Sequence, residues 1–399
     1  MTGWIRRRSL ILRGLAGLTV VAAGGVVWRA SNNGAFNVGE GAAYEPWHDW
    51  HQQQRVGPLA IVHGGILAAS AHNTQPWRFD LSEDRVALKA DYERHLGSFD
   101  PHRREMTLSL GCALENMALT AAAEGFAGEI ELTPGTLGLG APADGDRPVA
   151  VMNLERGAPA SSDLYRAIAD RHTHRGRYVA TQTISETLKS EMRSLAAASP
   201  GVGLTLVDAE PAMSRLGELT VEATRQIITD AQMAADSARW FRFDRAGVDA
   251  HRDGVTVDTF GLPPLLNVAV KILPTPSQEL TDRQWLEATR DVHVATAPLF
   301  GLITVADLYD RATALEAGRL WQRLHLWAAA RGLAAQPLNQ LPERVDREAE
   351  LGESPRTAAA LADLTGSEKA RPTFVFRMGY ANRDARLSPR RAIESVLVS

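Results

Sequence analysis

The stretch that decides the fold lies early in the chain and reads Ala69-Ser70-Ala71-His72-Asn73-Thr74-Gln75-Pro76-Trp77-Arg78-Phe79. It places short polar side chains between a predicted helix end near residue 70 and a strand-like run over residues 76–81. Backbone amides at such a junction are unpaired and available to a ligand. The alternative is a polar turn whose Ser, Asn and Thr side chains only cap the local backbone.

A helix, a capping glycine and an extended segment follow this stretch, and the same order occurs again later in the chain. Apolar residues at helical spacing run from 106 to 121 and from 320 to 328, and Gly125 and Gly332 follow them. Glycine at a helix C-terminus supplies the positive φ that the cap requires. Extended runs then follow at 129–132 and at 334–338. The repetition predicts a duplicated α+β unit, although any α/β protein shows this local order.

A second correspondence supports duplication. The sequence around Ser70 leads into the run 76–81, and the sequence around Ser199 leads into a similar run over residues 203–207. The second copy is longer, and its extra residues fall mostly between 220 and 291. Two interpretations stay open for this insertion, a lid or a helical hairpin that completes the core. It is rich in aromatic residues, namely Trp240, Phe241, Phe243, Phe260 and Trp285.

The N-terminus has the features of a targeting signal. Arg7 and Arg8, one spacer and two bulky apolar residues form the twin-arginine export pattern, and an apolar run over 14–28 follows. That run is shorter than the ~20 residues of a transmembrane helix, which favours a signal over an ordinary short anchor. We expect residues 1–31 to be a signal or anchor and 32–43 a flexible linker. The protein would then be exported across the cytoplasmic membrane already folded, with residues 14–28 available as a tether.

Composition excludes several classes of function. A net charge of -4 gives no basic excess, so no nucleic-acid partner is expected. The single cysteine, Cys112, cannot form an intrachain disulfide, and its apolar neighbours predict a buried, inert thiol. Nucleotide-binding P-loop, zinc-protease and serine-hydrolase motifs are absent from the sequence, and no histidine falls at metal-ligand spacing with carboxylates. No metal site is predicted.

Two arginine clusters are candidates for binding an anion. In Arg171-His172-Thr173-His174-Arg175, alternate residues of an extended segment would place Arg171, Thr173 and Arg175 on one side, where they could hold one phosphate. Near the C-terminus, Ser388-Pro389-Arg390-Arg391 is similarly suited to an anion. The alternatives are a solvated basic turn and ordinary surface charge.

These three segments together resemble a known family. Ser70-x-x-Asn73-x-Gln75-Pro76-Trp77 resembles the serine–asparagine–glutamine–proline–tryptophan signature of flavin-dependent nitroreductases. Arg171-x-Thr173-x-Arg175 resembles the arginine–serine–arginine segment that holds the FMN phosphate in that family, and 388–391 resembles its basic tail. From about residue 44 to the C-terminus, the order and spacing of these segments match best those of the Acg-like group, in which two nitroreductase units are fused in one chain.

The resemblance implies a nitroreductase-like α+β fold, in which two fused, diverged repeats form a pseudo-dimer with helices around mixed sheets. The halves would span 44–156 and 157–399, and the chain would be a monomer. The first half keeps Ser70, Asn73 and Gln75 but has no equivalent of the arginines, whereas the second half keeps the arginines but has lost that signature. One complete site, and therefore one FMN per chain, is implied. The implied FMN-binding residues are Ser70, Asn73, Gln75, Arg171, Thr173, Arg175, Ser388, Arg390 and Arg391.

The implied function is that of an FMN oxidoreductase that transfers hydride to nitro, quinone or similar small acceptors. The chemistry would lie on FMN, and no side chain need act as a nucleophile. The electron donor is open, since nicotinamides are scarce outside the cytoplasm, and the export partner would be the twin-arginine translocase. Two other hypotheses remain, an exported protein that sequesters or stores FMN without catalysis, and a flavin-free scaffold for partner binding.

Overall fold

The computed structural model describes residues 25, 27–52, 55–140, 142 and 145–398. Arg7, Arg8 and most of the apolar run 14–28 lie outside the described residues, so the predicted signal stays a prediction. Across the described part of the chain, every helix is too short or too polar to span a bilayer.

Helices α1 to α13 of the described chain are, in order, Glu45–His51, Pro58–Ile66, Arg104–Ala123, Asp163–Arg166, Glu186–Ala197, Ala212–Thr229, Ala231–Ala238, Arg245–His251, Pro264–Ile272, Gln278–Ala288, Arg311–Ala329, Gln340–Leu351 and Arg356–Thr365. Strands β1 to β11 are Trp77–Leu81, Arg85–Ala90, Phe126–Leu132, Ala150–Arg156, Val202–Val207, Phe241–Arg242, Val255–Thr256, Leu299–Val305, Ala334–Pro337, Arg371–Gly379 and Leu397–Val398. Short 3-10 turns occupy Ala71–Asn73, Tyr92–Arg94, Gly97–Phe99, Val257–Phe260 and Ile393–Ser395, and a π-helical turn occupies Thr289–Val294.

Two sheets with matching strand order form the core. The first runs β11-β1-β2-β4-β3, and the second runs β5-β8-β10-β9. If β1 is matched with β5, β2 with β8, β3 with β9 and β4 with β10, the order and the antiparallel pairings of the four shared strands agree. The predicted α+β fold of two diverged repeats is therefore confirmed.

The C-terminal strand belongs to the sheet of the other half. β11 pairs in parallel with β1, with Phe79 opposite Leu397 and Asp80 opposite Val398. The amide of Phe79 donates to the carbonyl of Val396 over 2.8 Å. The first sheet is consequently mixed, and residues 388–391 are carried to the stretch around residues 70–77.

The long helices α3 and α11 pack against each other across the centre of the molecule. A Cβ atom on Gly111 would overlap the carbonyl oxygen of Leu315, and one on Gly318 would overlap the carbonyl oxygen of Leu108. This reciprocal contact is what a pseudo-two-fold axis between two repeats produces. Both helices lead to glycines in the left-handed region, Gly125 at φ 78° and Gly332 at φ 69°, as the sequence predicts.

Cys112, on α3, is also as predicted. It is buried, and its Sγ donates to the carbonyl of Gly318 over 3.3 Å. Burial raises the pKa of its thiol to about 12, which leaves the sulfur protonated and unreactive at neutral pH.

The insertion between β5 and β8 combines the two roles that the sequence left open. Leu96 and Phe99 of the first half form a small separate apolar cluster with Ile227, Met233 and Trp240 of the insertion. Its later residues, 252–260, cover the turn at residues 70–77, where the carbonyls of Gly254 and Arg252 accept from Asn73 and Gln75. The insertion thus contributes a core of its own and a cover.

Residues 32–43, which composition predicts to be a flexible linker, are packed against the insertion. Asn33 Nδ2 donates to the carbonyl of Lys271 over 2.6 Å, and Lys271 Nζ donates to the carbonyl of Gly34 over 3.1 Å. Ala35 and Ala43 are buried. Glycines in this segment serve tight turns, with Gly34, Gly39 and Gly41 at positive φ, which gives their abundance here a conformational reason. The proposed domain limits stay predictions.

Candidate functional site

The turn between α2 and β1 holds an unusual backbone. His72, Asn73 and Gln75 have φ values of 45°, 55° and 52°, the left-handed region that non-glycine residues seldom adopt. The Gln75 amide donates to Ser70 Oγ over 3.1 Å, so Ser70 caps the turn locally. Backbone strain of this kind persists only where surrounding contacts enforce it, and it concentrates at ligand sites.

The C-terminal segment supplies those contacts. Arg390 Nη1 donates to Asn73 Oδ1 and, over 2.8 Å, to Ser388 Oγ. Arg390 Nη2 donates to the carbonyl of Ala68 over 3.1 Å. Asn73 Nδ2 donates in return to the carbonyl of Pro389 over 3.0 Å. The first and third of the sequence-predicted segments therefore meet in space.

Arg171 joins them from the second segment. Its Nη2 donates to the carbonyl of Leu67 over 3.1 Å, next to the Ala68 carbonyl that Arg390 contacts. Both carbonyls follow the C-terminal end of α2, where the helix dipole is negative. A cation–π contact adds to this, with the Arg390 guanidinium 4.7 Å from the ring centroid of Trp47.

Arg171 and Arg390 are buried cations that no carboxylate of the described residues neutralises. Burial lowers the pKa of Arg171 to about 10. Burial, with the nearby Arg171 charge, holds the pKa of Arg390 well below its ordinary value. The Nε of each has no hydrogen-bond partner. Two buried guanidinium groups whose Nε donors are unpaired fit a phosphate dianion, since the planar guanidinium matches phosphate oxygens in charge and geometry.

Arg391 has a different role from its neighbour. Its amide donates to Gln75 Oε1 over 2.8 Å, and its Nη1 donates to the Gln75 carbonyl over 3.1 Å. Its guanidinium also lies 3.7 Å from Asp91. Arg391 therefore holds the turn in place and is already paired, which leaves Arg390 as the better anion ligand of the two.

Arg175 lies on the side of the insertion. Its Nη1 donates to the carbonyl of Thr259 over 3.2 Å, and burial lowers its pKa to about 10. The carbonyl of Gly254 accepts from Asn73 Nδ2 over 3.2 Å, and that of Arg252 accepts from Gln75 Nε2 over 2.8 Å. Segment 252–260 thus covers the site with backbone carbonyls. Thr173, between the two arginines in sequence, is half-buried.

Three neutral histidines line the site, and the sequence pattern predicted no role for them. Burial, with the charges of Arg171 and Arg390, lowers the pKa of His172 to about 3, and its Nδ1 has no partner. His325 Nδ1 lies 3.4 Å from Arg171 Nη1. Burial and Arg175 lower the pKa of His72 to about 4, and its Nε2 lies 3.0 Å from Ser237 Oγ. For His72 and His172, their place within the signature and next to Arg171 was the available signal, whereas nothing in the sequence around His325 indicated a role.

A half-buried aromatic group adjoins the turn. Phe241 stacks on Phe243 at 6.1 Å between ring centroids and meets Phe260 edge-on at 5.9 Å. His72 contacts Phe241 at 6.4 Å. Flat apolar surfaces of this kind can face an aromatic ligand.

Arg377 is a positioning residue that sequence reasoning missed. It is buried on β10, and its Nη2 donates to the carbonyl of Gly176 over 2.6 Å. Its guanidinium lies 3.9 Å from the ring centroid of Tyr178. These contacts fix the chain just after Arg175. An arginine within the otherwise apolar run 374–378 was the signal for it.

Sequence comparison shows what the chain is similar to. A protein of Mycobacterium tuberculosis H37Rv named as a candidate NAD(P)H nitroreductase is 27% identical over 279 residues, 69% of this chain and 74% of that protein. A second candidate NAD(P)H nitroreductase of the same strain, named acg, is 37% identical over 67 residues, which are 17% of this chain and 20% of that protein. No protein-family model matches the chain.

Solved structures with partial similarity include the FMN-dependent nitroreductase NfnB from Mycobacterium smegmatis in complex with NADPH. It has a TM-score of 0.39 at 18% identity, and the match covers 58% of this chain and 96% of that chain. A nitroreductase with bound FMN from Bacteroides fragilis has a TM-score of 0.32 at 13% identity, with 58% and 95% covered. By sequence the chain is thus similar, over most of its length, to oxidoreductases of the nitroreductase type.

Proposed function

We propose that the chain binds one FMN, with Arg171 and Arg390 holding its phosphate. The observation that carries this proposal is the pair of buried guanidinium groups that no carboxylate neutralises, assembled from two distant segments beside the Ser70–Trp77 turn. A phosphate dianion would compensate both charges and would give the unpartnered Nε atoms an acceptor. The choice of FMN as the cofactor is suggested by the name of the Bacteroides fragilis structure, a nitroreductase with bound FMN.

The surrounding residues have complementary tasks in this proposal. Asn73 and Gln75 offer amide groups toward the flavin once the carbonyls of segment 252–260 release them. The neutral imidazole of His172, with its free Nδ1, adds no third positive charge next to the arginines. The aromatic group of Phe241, Phe243 and Phe260 would exclude water from one side of the flavin site. Bound FMN supplies hydride transfer.

The reaction that we propose is reduction of nitro, quinone or similar small acceptors through the flavin. The names of the relatives include NAD(P)H, which supports a reduced nicotinamide as one electron donor. Export would remove the protein from that donor, and the physiological reductant would then differ. Hydride transfer places no demand on a nucleophilic side chain, in agreement with the inert Cys112.

The decisive experiment is a flavin assay on the purified protein. We expect a visible flavin absorption band, FMN on release by heat, and a flavin-to-protein ratio near one. Arg390→Gln and Arg171→Gln should weaken FMN binding by about tenfold or more, since each removes a charge-assisted contact. Arg225→Gln, an exposed arginine paired with Glu222, is the matched control and should bind FMN normally. A colourless protein after reconstitution with FMN contradicts the proposal.

Non-catalytic flavin storage is a second candidate, and one observation favours it. The carbonyls of Arg252, Gly254 and Thr259 cover Gln75, Asn73 and Arg175, so the insertion closes over the site. Bleaching by NADPH or dithionite, followed by acceptor-driven re-oxidation at a catalytic rate, supports the oxidoreductase. Chemical reduction without turnover of any acceptor supports storage.

We also propose export by the twin-arginine route, on the sequence of residues 7–28, and a monomeric state. Replacing Arg7 and Arg8 by lysine should retain the protein in the cytoplasm, which cell fractionation detects. Light scattering of the purified protein should give the mass of one chain, and a dimer mass contradicts the monomer.

A further inference from the structure

The large exposed hydrophobic residues are concentrated in one region. Of the nine in the described part of the chain, six belong to the N-terminal segment and to α9 or its ends: Val27, Trp28, Phe36, Leu265, Leu266 and Leu273. Leu265 is 86% exposed and Trp28 is 68% exposed. Apolar side chains that cluster at this exposure mark a surface that something apolar covers.

The two segments that carry these residues are joined by hydrogen bonds. Arg29 Nη2 donates to the carbonyl of Leu273 over 3.1 Å, and Asn33 Nδ2 donates to the carbonyl of Lys271 over 2.6 Å. Trp28, Val270 and Leu273 line one shared cavity. We define the apolar face as Val27, Trp28, Leu265, Leu266 and Leu273.

Helix α9 is amphipathic, and its charge is turned away from this face. Leu266, Val270 and Leu273 recur at helical spacing. Lys271 is buried instead, with its Nζ 2.8 Å from Asp258 Oδ1. The exposed side of α9 therefore presents leucines without a charged group among them.

We propose that the apolar face docks on the surface of a lipid bilayer, with α9 lying in the interfacial region. The argument is continuity with the N-terminus. Val27 and Trp28 end the apolar run 14–28, so insertion of that run into a membrane brings the bilayer to the apolar face. Tryptophan and leucine are the residues by which interfacial helices hold to lipid.

Docking in this orientation has a consequence for the candidate site. Asn267 on α9 donates to the carbonyl of Val257 over 3.0 Å, and Val257 belongs to the segment that covers Asn73, Gln75 and Arg175. The covering segment then lies beside the lipid. The docking proposal does not depend on whether FMN is bound.

The test places a polarity-sensitive fluorophore on the face in the full chain. Leu266→Cys is labelled and mixed with phosphatidylglycerol–phosphatidylcholine vesicles, and Leu351→Cys is the matched control at similar exposure, 54% against 49%. The native Cys112 is buried with a raised pKa and stays unlabelled. We expect a blue shift of the label at 266 on vesicle addition and none at 351.

A second variant separates the face from the N-terminal run. Leu265→Glu with Leu266→Glu should weaken vesicle partitioning by about tenfold, because two leucines no longer enter the interface. Leu351→Glu should leave it unchanged. The proposal is overturned if the label at 266 stays in water while the protein floats with the vesicles. It is also overturned if the blue shift of the label at 266 occurs without vesicles. A shift that rises with protein concentration would indicate that a second copy of the chain covers the face. A shift that is independent of protein concentration would indicate that residues 1–24 cover it.

Discussion

The two helix-to-strand turns at residues 70–77 and 199–203 occupy corresponding places in the two halves but have diverged completely. The first has three non-glycine residues in the left-handed region and lies among Arg390, Arg171 and the insertion. In the second, Gly201 takes the positive φ at 70°. Ser199 Oγ donates to the carbonyl of Leu195 over 3.3 Å and accepts from Arg323 Nη1 over 3.2 Å. One turn has kept strain and polar partners, and the other has become an ordinary connection.

The cores show the opposite behaviour. Strand order, the glycine crossing of α3 and α11, and the spacing from each crossing glycine to its capping glycine are the same in both halves. Packing constrains both repeats equally, since each helix is the other's neighbour. A binding site needs only one complete set of residues, so duplication leaves the second set free to change.

The largest effect that we expect tests the shared core. Gly111→Ala and Gly318→Ala should each lower the free energy of unfolding by about 3 kcal/mol, because the new methyl group overlaps a carbonyl of the facing helix. Urea denaturation measures this. Gly138→Ala is the control, since a Cβ there meets nothing within 4 Å and its φ is not positive. Unequal losses of unfolding free energy at Gly111 and Gly318 would show that the two contacts between the helices are not equivalent.

The next effect distinguishes the starts of α3 and α11, where Glu105 corresponds to Ala312. Burial, with Asp100 nearby, raises the pKa of Glu105 to about 8. A raised carboxyl pKa means that the folded state binds the proton more tightly. The contribution of Glu105 to the free energy of unfolding is therefore fully present below the unfolded pKa of about 4.3. That contribution is lost as the pH rises through the folded pKa of about 8.

Glu105→Gln should remove this pH dependence. We expect the free energy of unfolding of the variant to gain about 2 kcal/mol on that of the wild type between pH 5 and about pH 6.5, measured by urea denaturation at each pH. Glu129→Gln, an exposed carboxyl on β3, should track the wild type throughout. Parallel pH profiles of Glu105→Gln and the wild type would show that Glu105 is not a buried proton site.

A smaller effect compares the two turns directly. Asn73→Ala should cost about 2 kcal/mol, because it loses the Arg390 contact and places alanine at φ 55°. Asn73→Gly relieves the backbone and isolates the hydrogen bonds. Ser199→Ala should cost less than about 1 kcal/mol. Equal costs at 73 and 199, by urea denaturation, would contradict the divergence of the turns.

The smallest effect concerns the sheet edges and needs no substitution. β11 covers the outer edge of β1, whereas the outer edge of β5 pairs with no strand of the described residues. Hydrogen exchange should be at least about tenfold slower at the Phe79 amide than at amides of β5 that point away from β8. Equal rates would indicate that the β1–β11 pairing opens as readily as a free edge.

Much of the candidate site was predictable from local sequence. The string from Ser70 to Trp77, the arginines at 171 and 175, and the tail 388–391 each stand out as short polar patterns. The sequence could not show which of Arg390 and Arg391 is the better anion ligand, because their sequence context is the same. Only the fold places Asp91 beside Arg391. The neutral histidines, Arg377 and the covering carbonyls also depend on contacts between residues far apart in the chain.

Sequence alone determined the repeated α+β unit, because helical spacing, capping glycines and strand alternation are local properties that burial requires in each copy. It also determined the inert cysteine and the candidate anion ligands. Only the tertiary structure decided that 32–43 packs, that β11 crosses to the first sheet, and that Arg171 and Arg390 share one buried place without a carboxylate. Those outcomes rest on the balance of burial and charge among segments that meet only after folding, and local pattern carries no information about it.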